Sequence, residues 1–276
     1  MSPLWRDRIQ IFFAPDRVDL VRVHRGIKPE PPVRLSVECE HKPGAPAWAA
    51  PLEQLDQMSG TGGGHGAEVS ITISNCFVRY VVLAAQQNIA NPAELHVLAD
   101  FHTREVYGEQ AADWVTSVSA WDPSGGGVCA AMERALLEGL EEVVTRRKMR
   151  LKYVEPYLAG AFDHWHKRFD DRRAWFALVE SGRLCLASLE NGAWKRISNQ
   201  RILQNVEDEL LAALDQEVML FAGRKENVET VYLFAPEHPE LVLPEDCGWR
   251  VALLSTESLP APAHYPSAAI TLERLS

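Results

Sequence analysis

The sequence lacks the cysteine pairs, the long apolar runs and the leader segment that mark several special classes of protein. Its five cysteines lie 37 to 62 residues apart and form no C-x-x-C pair, which excludes zinc knuckles and thioredoxin-like motifs. No uncharged apolar run reaches the roughly 18 residues of a transmembrane helix, and residues 1–8 lack the apolar core of a signal peptide. We therefore expect a cytoplasmic chain with small buried cysteines, and any membrane role would have to come through a partner.

Positive charge is also scarce. The 276 residues include 28 lysines and arginines against 38 aspartates and glutamates, for a net charge of −10. Binding to nucleic acid depends on neutralising phosphates with basic side chains, so this balance argues against a nucleic-acid partner. The hydrophobic fraction of 46% and the charged fraction of 24% are ordinary globular values. At about 150 residues per domain, the length fits two domains or one duplicated body.

Alternating apolar residues and turn residues predict a β-meander at the start of the chain. Ile9–Phe13 and Val18–His24 are predicted strands joined by a tight turn at Ala14–Arg17, where proline fixes φ and aspartate tolerates turn geometry. Further elements of the first half are a short helix at Trp48–Met58 and strands at Val33–Val37, Val69–Ser74, Phe77–Leu83 and Val115–Trp121.

Two longer helices are predicted in the same half. The sequence Asn91-Pro92-Ala93-Glu94 combines an N-cap, a proline at N1 and an acidic N3, and predicts a helix to about Val106 that stops at Gly108. A second helix is predicted over Ser124–Arg147 because apolar residues recur at gaps of three and four. Its buried stripe would be Cys129, Met132, Leu136, Leu140 and Val143.

The second half repeats this order of elements. It begins with a strand at Leu151–Val154 and a helix at Pro156–Phe169. A second meander follows, with strands Ala174–Val179, Leu184–Leu189 and Trp194–Ile197 and turns at Glu180–Gly182 and Asn191–Gly192. The remaining elements are a helix over Asn199–Ala222, with Leu203 on its buried side and Gly223 as its stop, and strands at Val228–Ala235, Arg250–Leu254 and Ala268–Leu272.

Each half therefore consists of a meander, a helix and a later apolar strand, and no low-complexity linker separates the halves. This order predicts one α/β body of two subdomains, residues 1–150 and residues 151–276, each with a mixed β-sheet flanked by helices.

This duplicated plan resembles the actin-like ATPase superfamily, an RNase H-like architecture, and within it the pilus and secretion branch of PilM-, MshI- and GspL-type cytoplasmic proteins. Three stretches carry the resemblance. They are the strand–turn–strand of Ile9–His24, the segment Val69–Tyr80 with the helix around Glu94–Tyr107 that follows it, and Met149–Phe162. The second stretch includes the Ser/Asn-x-x-x-x-Arg region of that family, and in the third a strand ending in Glu155-Pro156 leads into a helix.

The resemblance implies a cytoplasmic scaffold of a type IV pilus or type II secretion machine that holds an inner-membrane partner. PilM-type members bind ATP, whereas GspL-type domains have lost that site. Active members cradle phosphate in turns with an Asp-x-Gly pattern. Here the turn Ala14–Arg17 has no glycine, Pro15 removes a donor N–H, and the matching turn Glu180–Arg183 has one glycine.

These turns predict a protein without ATP hydrolysis, and we predict no catalytic, cofactor-binding or metal-binding residue. ATP is the one candidate cofactor. The alternatives are a nucleotide-binding actin-like switch, or a small-molecule kinase or nuclease of the same fold. A nuclease would need an acidic residue on its first strand, where Ile9–Phe13 offers only Gln10.

Three other segments invite a binding hypothesis. Asp122–Gly127 is predicted to lie between a strand and a helix, where amide groups could hold an anion, although it lacks the Gly-Lys-Ser/Thr of a P-loop and Ser124 is predicted as an N-cap. Ser59–Gly66 precedes a strand and is predicted as a surface loop. In Asp163–His166 the two histidines point to different helix faces, so only Asp163 and His166 could share an ion, and a metal needs three or four ligands.

Overall fold

Three β-sheets with helices packed against them make up the part of the chain that the computed structural model describes, residues 6–25, 30–60, 66–89, 91–169, 173–221 and 229–255. The strands are β1 (Arg8–Phe13), β2 (Arg17–Val23), β3 (Val33–Glu38), β4 (Glu68–Ile73), β5 (Arg79–Leu83), β6 (Trp114–Asp122), β7 (Gly126–Glu133), β8 (Arg150–Pro156), β9 (Arg173–Glu180), β10 (Arg183–Glu190), β11 (Ala193–Arg201), β12 (Thr230–Phe234) and β13 (Arg250–Leu253). The helices are α1 (Ala49–Gly60), α2 (Pro92–Tyr107), α3 (Arg134–Arg146), α4 (Tyr157–Trp165) and α5 (Val206–Phe221).

The first sheet has the order β3-β2-β1-β4-β8. The meander β1-β2-β3 is antiparallel, and β4 and β8 then add parallel to β1. Ile9, Ile11 and Phe13 of β1 are buried in the main core, while the alternating Gln10 and Phe12 face the other side of the sheet and are half-buried. This confirms the strand–turn–strand predicted at the start of the chain.

The second sheet repeats this topology, with the order β11-β10-β9-β12-β13. Its meander β9-β10-β11 is antiparallel, and β12 and β13 add parallel to β9. Both faces of β9 and β10 are buried, so these strands are nearly continuous apolar runs. The two mixed sheets flanked by helices confirm the predicted fold class.

The third sheet, β5-β7-β6, is antiparallel and corrects one prediction. The predicted helix over Ser124–Arg147 is wrong, because residues 126–133 form β7 and the helix α3 begins only at Arg134. The apolar positions at 136, 140 and 143 do lie on the buried side of α3. Cys129 and Met132, counted as part of the same stripe, are buried from a strand instead.

The helix after the second meander also begins later than predicted. Residues 199–201 belong to β11, and α5 starts at Val206, after Asn205, whose Oδ1 accepts from the Glu207 N–H at 2.8 Å. Leu203, predicted on the buried side, is 81% exposed. The predicted stop at Gly223 and the predicted strand at Ala268–Leu272 lie outside the described residues.

The other predicted helix termini agree closely with the structure. The Glu94 N–H donates to the Asn91 side-chain oxygen at 3.0 Å, and α2 ends before Gly108, whose φ is +70°. The main hydrophobic cluster joins the two large sheets through α4, where Trp165 is fully buried. Among the described helices, none combines the length and the apolar character needed to span a bilayer.

Candidate functional site

The turn between β1 and β2 and the turn between β9 and β10 line one cavity of about 400 Å³. Pro15 and Asp16 come from the first turn, and Ser181 and Gly182 come from the second. Because both turns hold the same position in sheets of the same topology, the cavity lies between the two halves of the chain. The two turns whose sequences lack the Asp-x-Gly pattern therefore line one cavity.

Glu237 joins the two turns. The Arg17 Nη2 donates to its Oε1 at 2.6 Å, and the backbone N–H of Ser181 donates to its Oε2 at 2.8 Å. The hydrogen bond to Glu237 raises the pKa of Arg17. The amide of Ser181 is the kind of donor that a phosphate-binding turn aims at its anion. Here a carboxylate of the chain itself already accepts from it.

A buried polar network ties the halves together. Asn75, in a 3₁₀ turn after β4, donates to Oε1 of Glu180 from its backbone N–H at 2.9 Å and from its Nδ2 at 2.6 Å. Its Oδ1 accepts from the Tyr80 hydroxyl and from the Leu158 N–H. Its carbonyl oxygen accepts from Nδ2 of Asn199 at 2.9 Å. Asn75, which follows β4 of the first sheet, thus contacts the second sheet, the third sheet and the start of α4.

The Glu180 side chain at the centre of this network is almost fully buried. Burial raises its pKa, and the hydrogen bonds from Ser74 and Asn75 act in the opposite direction. The sequence places Glu180 in a turn and gives no sign of this contact, because its partner is 105 residues away. The nearest available signal is Ser74-Asn75 itself, a polar pair at the end of a strongly apolar strand.

Three arginines line the same cavity: Arg79, Arg183 and Arg201. Arg79 Nη1 donates to the carbonyl oxygens of Cys76 and Val78, at 3.3 and 2.9 Å. Burial and the like charge of Arg183 lower the pKa of Arg79. Arg183 is only 8% exposed, and its Nε has no hydrogen-bond partner. Throughout the described residues, none of the three forms an ion pair with a carboxylate.

The cavity also has two acidic side chains, Asp16 and Glu133. Glu133 Oε2 accepts from the indole N–H of Trp48 at 2.8 Å. Over the described ranges, no group of three or more histidine, cysteine, aspartate or glutamate residues is placed to hold a metal ion. The wall of the cavity is therefore richer in unpaired positive charge than in metal ligands.

The structure corrects the hypothesis for the glycine-rich segment Asp122–Gly127. It is the turn of the β6–β7 hairpin, and no helix begins there. Asp122 Oδ1 accepts from the N–H groups of Ser124 and Gly125, at 2.6 and 2.8 Å, so Ser124 is a turn residue and not an N-cap. Without a helix N-terminus, the anion site considered for this segment has no basis. Within Ser59–Gly66, residues 61–65 lie outside the described part of the chain.

The segment Asp163–His166 lies at the end of α4 and in the turn after it. His166 Nδ1 lies 2.9 Å from the backbone oxygen of Asp163, and the His166 ring stacks on Phe162. Burial raises the pKa of Asp163. The pairing of Asp163 with His166 is thus through the backbone and not through the carboxylate.

All five cysteines are free thiols. Cys129 and Cys185 are buried, and the other three are half-buried. Burial raises the pKa of the Cys129 thiol to about 11 and also raises that of Cys185. These thiols are protonated at neutral pH, as expected for small apolar side chains in a core.

Solved structures share this architecture, although no protein-family model and no curated protein sequence matches the chain. A protein of unknown function with an actin-like ATPase fold from Bacteroides thetaiotaomicron superposes with a TM-score of 0.59 at 11% identity, over 87% of each chain. The cytoplasmic domain of EpsL, an inner-membrane component of the type II secretion system of Vibrio cholerae, gives 0.54 at 11% identity, over 90% of each chain. A chain of the PilM–PilN type IV pilus biogenesis complex gives 0.62 at 13% identity, over 93% of this chain and 90% of that one.

At these identities the likeness establishes the fold. The chain has the actin-like fold, which confirms the resemblance predicted from the three sequence stretches. Two of the three neighbours come from pilus and secretion systems, the branch that the sequence resembles. The subdomain boundary at residue 150 stays a prediction, and β8, which spans it, pairs with β4 of the first sheet.

Proposed function

We propose that this chain is a non-catalytic actin-like scaffold of a type IV pilus or type II secretion machine, which binds the cytoplasmic segment of an inner-membrane partner. Support comes from two neighbours that superpose over at least nine-tenths of the chain, one from the PilM–PilN complex and one from EpsL. In this proposal the chain works in the cytoplasm and is held at the inner membrane by that partner.

The observation that carries the non-catalytic part is the position of Glu237. Its carboxylate accepts from the Ser181 amide of the second turn and from Arg17 of the first. A negative charge between the turns repels a phosphate and competes for the same donors. Because the Ser181 amide is already satisfied by Glu237, this contact serves to hold the two turns together, as a scaffold requires.

Direct binding tests the scaffold role. The probes are synthetic peptides that cover the cytoplasmic segments of the inner-membrane pilus and secretion components of the source organism, titrated into the purified chain. We expect one segment to bind with a micromolar or lower dissociation constant and its scrambled version not to bind. Deletion of the gene should then abolish piliation or type II secretion. If no segment binds and the deletion strain keeps both activities, the proposal is wrong.

A second candidate is a nucleotide-binding actin-like switch, and the three arginines of the cavity favour it. Arg79, Arg183 and Arg201 bring positive charge to the inter-turn cavity without a carboxylate partner among the described residues, and guanidinium groups suit phosphate oxygens. Calorimetry with Mg-ATP separates the candidates. Binding without hydrolysis favours the switch, absence of binding favours the scaffold, and turnover would contradict both.

A further inference from the structure

A second cavity lies on the face of the first sheet that α4 covers only in part. Its volume is about 290 Å³, and none of its lining residues belongs to the inter-turn cavity. Aromatic rings form much of its wall: Phe12, Tyr153, Tyr157, Trp165 and Phe234. The rings of Phe12 and Tyr157 meet edge to face with centroids 5.0 Å apart, and Phe234 adjoins both Tyr157 and Trp165. Arg17 already lies over the Phe12 ring and Arg168 over the Trp165 ring, at 5.0 and 4.9 Å from the ring centroids, so Tyr153, Tyr157 and Phe234 are the rings that remain for a ligand.

One carboxyl group faces this aromatic wall without a partner. Glu155, near the end of β8, lines the cavity and is only 6% exposed. Among the hydrogen bonds and ion pairs of the described residues, none involves its carboxyl group, and only burial and the charge of Asp163 act on its pKa. A carboxyl group buried in this way is costly unless something pairs with it.

The carboxyl group of Glu155 lies against a glycine of the neighbouring helix α4. A Cβ atom placed on Gly160 of α4 would lie 2.9 Å from Oε2 of Glu155, closer than side chains normally approach. Glycine at position 160 thus leaves room for the carboxyl group. The wall of the cavity beside Gly160 is therefore an acidic group and not an apolar side chain.

The other charged groups of the cavity do not neutralise Glu155. Asp19 is acidic as well, and it already pairs with Arg17 Nε at 2.9 Å. His164 also lines the cavity, and burial lowers its pKa, so it is mainly neutral at pH 7. Asp163 adds a further negative charge near Glu155. No lysine or arginine is among the described residues that line the cavity.

We propose that this cavity binds the ammonium group of an amine carried on an apolar stem, with Glu155 as its counter-ion and the aromatic wall around it. An ammonium group would satisfy the unpaired carboxylate, and the faces of tyrosine and phenylalanine attract cations. An anionic ligand would meet Glu155 and Asp19 with like charge, and a neutral ligand would leave Glu155 unpaired. This site is independent of the proposed scaffold function, so either can fail without the other.

Three probes with one stem and different head groups test the proposal on the full chain. They are 2-phenylethylammonium, 2-phenylethanol and phenylacetate, titrated at pH 8 with detection by calorimetry and by indole fluorescence of the tryptophans. We expect the ammonium probe to bind at least about tenfold more tightly than the alcohol, and phenylacetate not to bind. Equal affinity for the ammonium probe and the alcohol, or no binding of the ammonium probe, overturns the proposal.

A substitution at the counter-ion locates the binding. E155Q should lower the affinity for the ammonium probe by at least about tenfold and leave the affinity for the alcohol unchanged, because the substitution removes only the charge. E138Q, on the exposed face of α3, is the matched control and should behave like the wild-type chain. If E155Q and wild type bind the ammonium probe equally, the site is not at Glu155 and the proposal fails.

The pH dependence of the wild-type chain gives a test without any substitution. Burial, with the charge of Asp163, raises the pKa of Glu155 to about 7. Alkylammonium groups stay charged well above that pH, so affinity should rise about tenfold between pH 6 and pH 8 as the carboxyl group ionises. D163N removes the neighbouring charge and should move the midpoint of this rise to lower pH. A flat profile in the wild-type chain overturns the assignment of Glu155 as counter-ion.

Discussion

Asn75 donates both its backbone N–H and its side-chain amide to the same oxygen of Glu180, across the junction between the two halves of the molecule. Both residues are nearly or fully inaccessible to solvent, at 0% and 2% exposure. One asparagine of the first half thus holds a buried carboxyl group of the second through two donors. A contact of this kind fixes the relative position of two sheets more sharply than apolar packing does.

Asn75→Ala should therefore be strongly destabilising. The substitution removes the side-chain amide from the Glu180 carboxyl group, which keeps only the backbone N–H of residue 75 and its bond from Ser74, and it takes the Asn75 oxygen from the Tyr80 hydroxyl and the Leu158 N–H. We expect the free energy of unfolding to fall by about 3–5 kcal/mol, as when one partner of a buried polar network is removed. Urea unfolding followed by tryptophan fluorescence measures this change.

The matched control is Asn91→Ala, at the exposed N-cap of α2. It removes the hydrogen bond from the Glu94 N–H and an exposed hydrogen bond to the Glu94 carboxylate, and it should cost about 1 kcal/mol. A cost at Asn75 no larger than the cost at Asn91 would mean that the network does not link the halves.

Glu155 should make the stability of the protein fall with rising pH. Its pKa is about 7 in the folded chain, against an ordinary value of 4.5. A carboxyl group with a raised folded pKa favours folding while it is protonated, so its contribution is complete below about pH 4.5 and is lost as the pH rises through 7. The loss between pH 4.5 and pH 8 should approach about 3 kcal/mol. Chemical unfolding at a series of pH values measures it.

The comparison with Glu155→Gln separates this effect from other titrations, including that of Glu180, which is present in both proteins. The neutral amide does not ionise, so the variant should equal the wild type near pH 5 and become more stable than it by pH 8. Parallel stability curves for the two proteins between pH 5 and pH 8 would show that Glu155 titrates normally.

Arg183 should be a residue whose removal stabilises the fold. It is 92% buried, its Nε has no partner, and its charge lies near that of Arg79. Arg183→Met keeps most of the apolar stem and removes the buried charge, so we expect a gain of about 1–3 kcal/mol. Thermal unfolding measures the gain, with Arg34→Met on the exposed strand β3 as control.

The same variant tests what the buried charge is for. If the inter-turn cavity holds phosphate, pyrophosphate should raise the unfolding temperature of the wild-type chain and have a smaller effect on Arg183→Met. A destabilised Arg183→Met protein would instead show that interactions of the guanidinium group outweigh the cost of burying its charge.

The two meanders were predictable because turns and strand faces are determined by residues close together in the sequence. Proline and aspartate in the turn Ala14–Arg17, and Asn191-Gly192 between β10 and β11, act within a few residues, and alternation decides which side of each strand is buried. The duplication of order along the chain then predicted the two sheets of equal topology. The contacts of Asn75 with Glu180 and of Arg17 with Glu237 span 105 and 220 residues, and no local pattern reports them.

The helix predicted over Ser124–Arg147 shows where local patterns mislead. Cys129 and Met132 continue, toward the N-terminus, the spacing of the apolar residues of α3. The apolar residues of β7 and α3 therefore follow one helical period, although only α3 is a helix. The stronger signal was Gly125-Gly126-Gly127. A run of glycines seldom begins a helix, and here it forms a hairpin turn.

The hairpin turn between β6 and β7 lies very close to the end of β5. Gly126 has a φ of +85°, and a Cβ atom at this position would lie only 2.2 Å from the carbonyl oxygen of Leu83 at the end of β5. Gly126→Ala should therefore force β5 and β7 apart and cost at least about 3 kcal/mol. Gly192, in the β10–β11 turn, has a similar φ of +77° but open space around it, so Gly192→Ala should cost only about 1 kcal/mol. Urea unfolding measures both costs. Gly192→Ala reports the cost of the backbone conformation alone, and the difference between the variants reports the cost of the close contact with Leu83. Equal losses of unfolding free energy would mean that β5 does not pack against the turn.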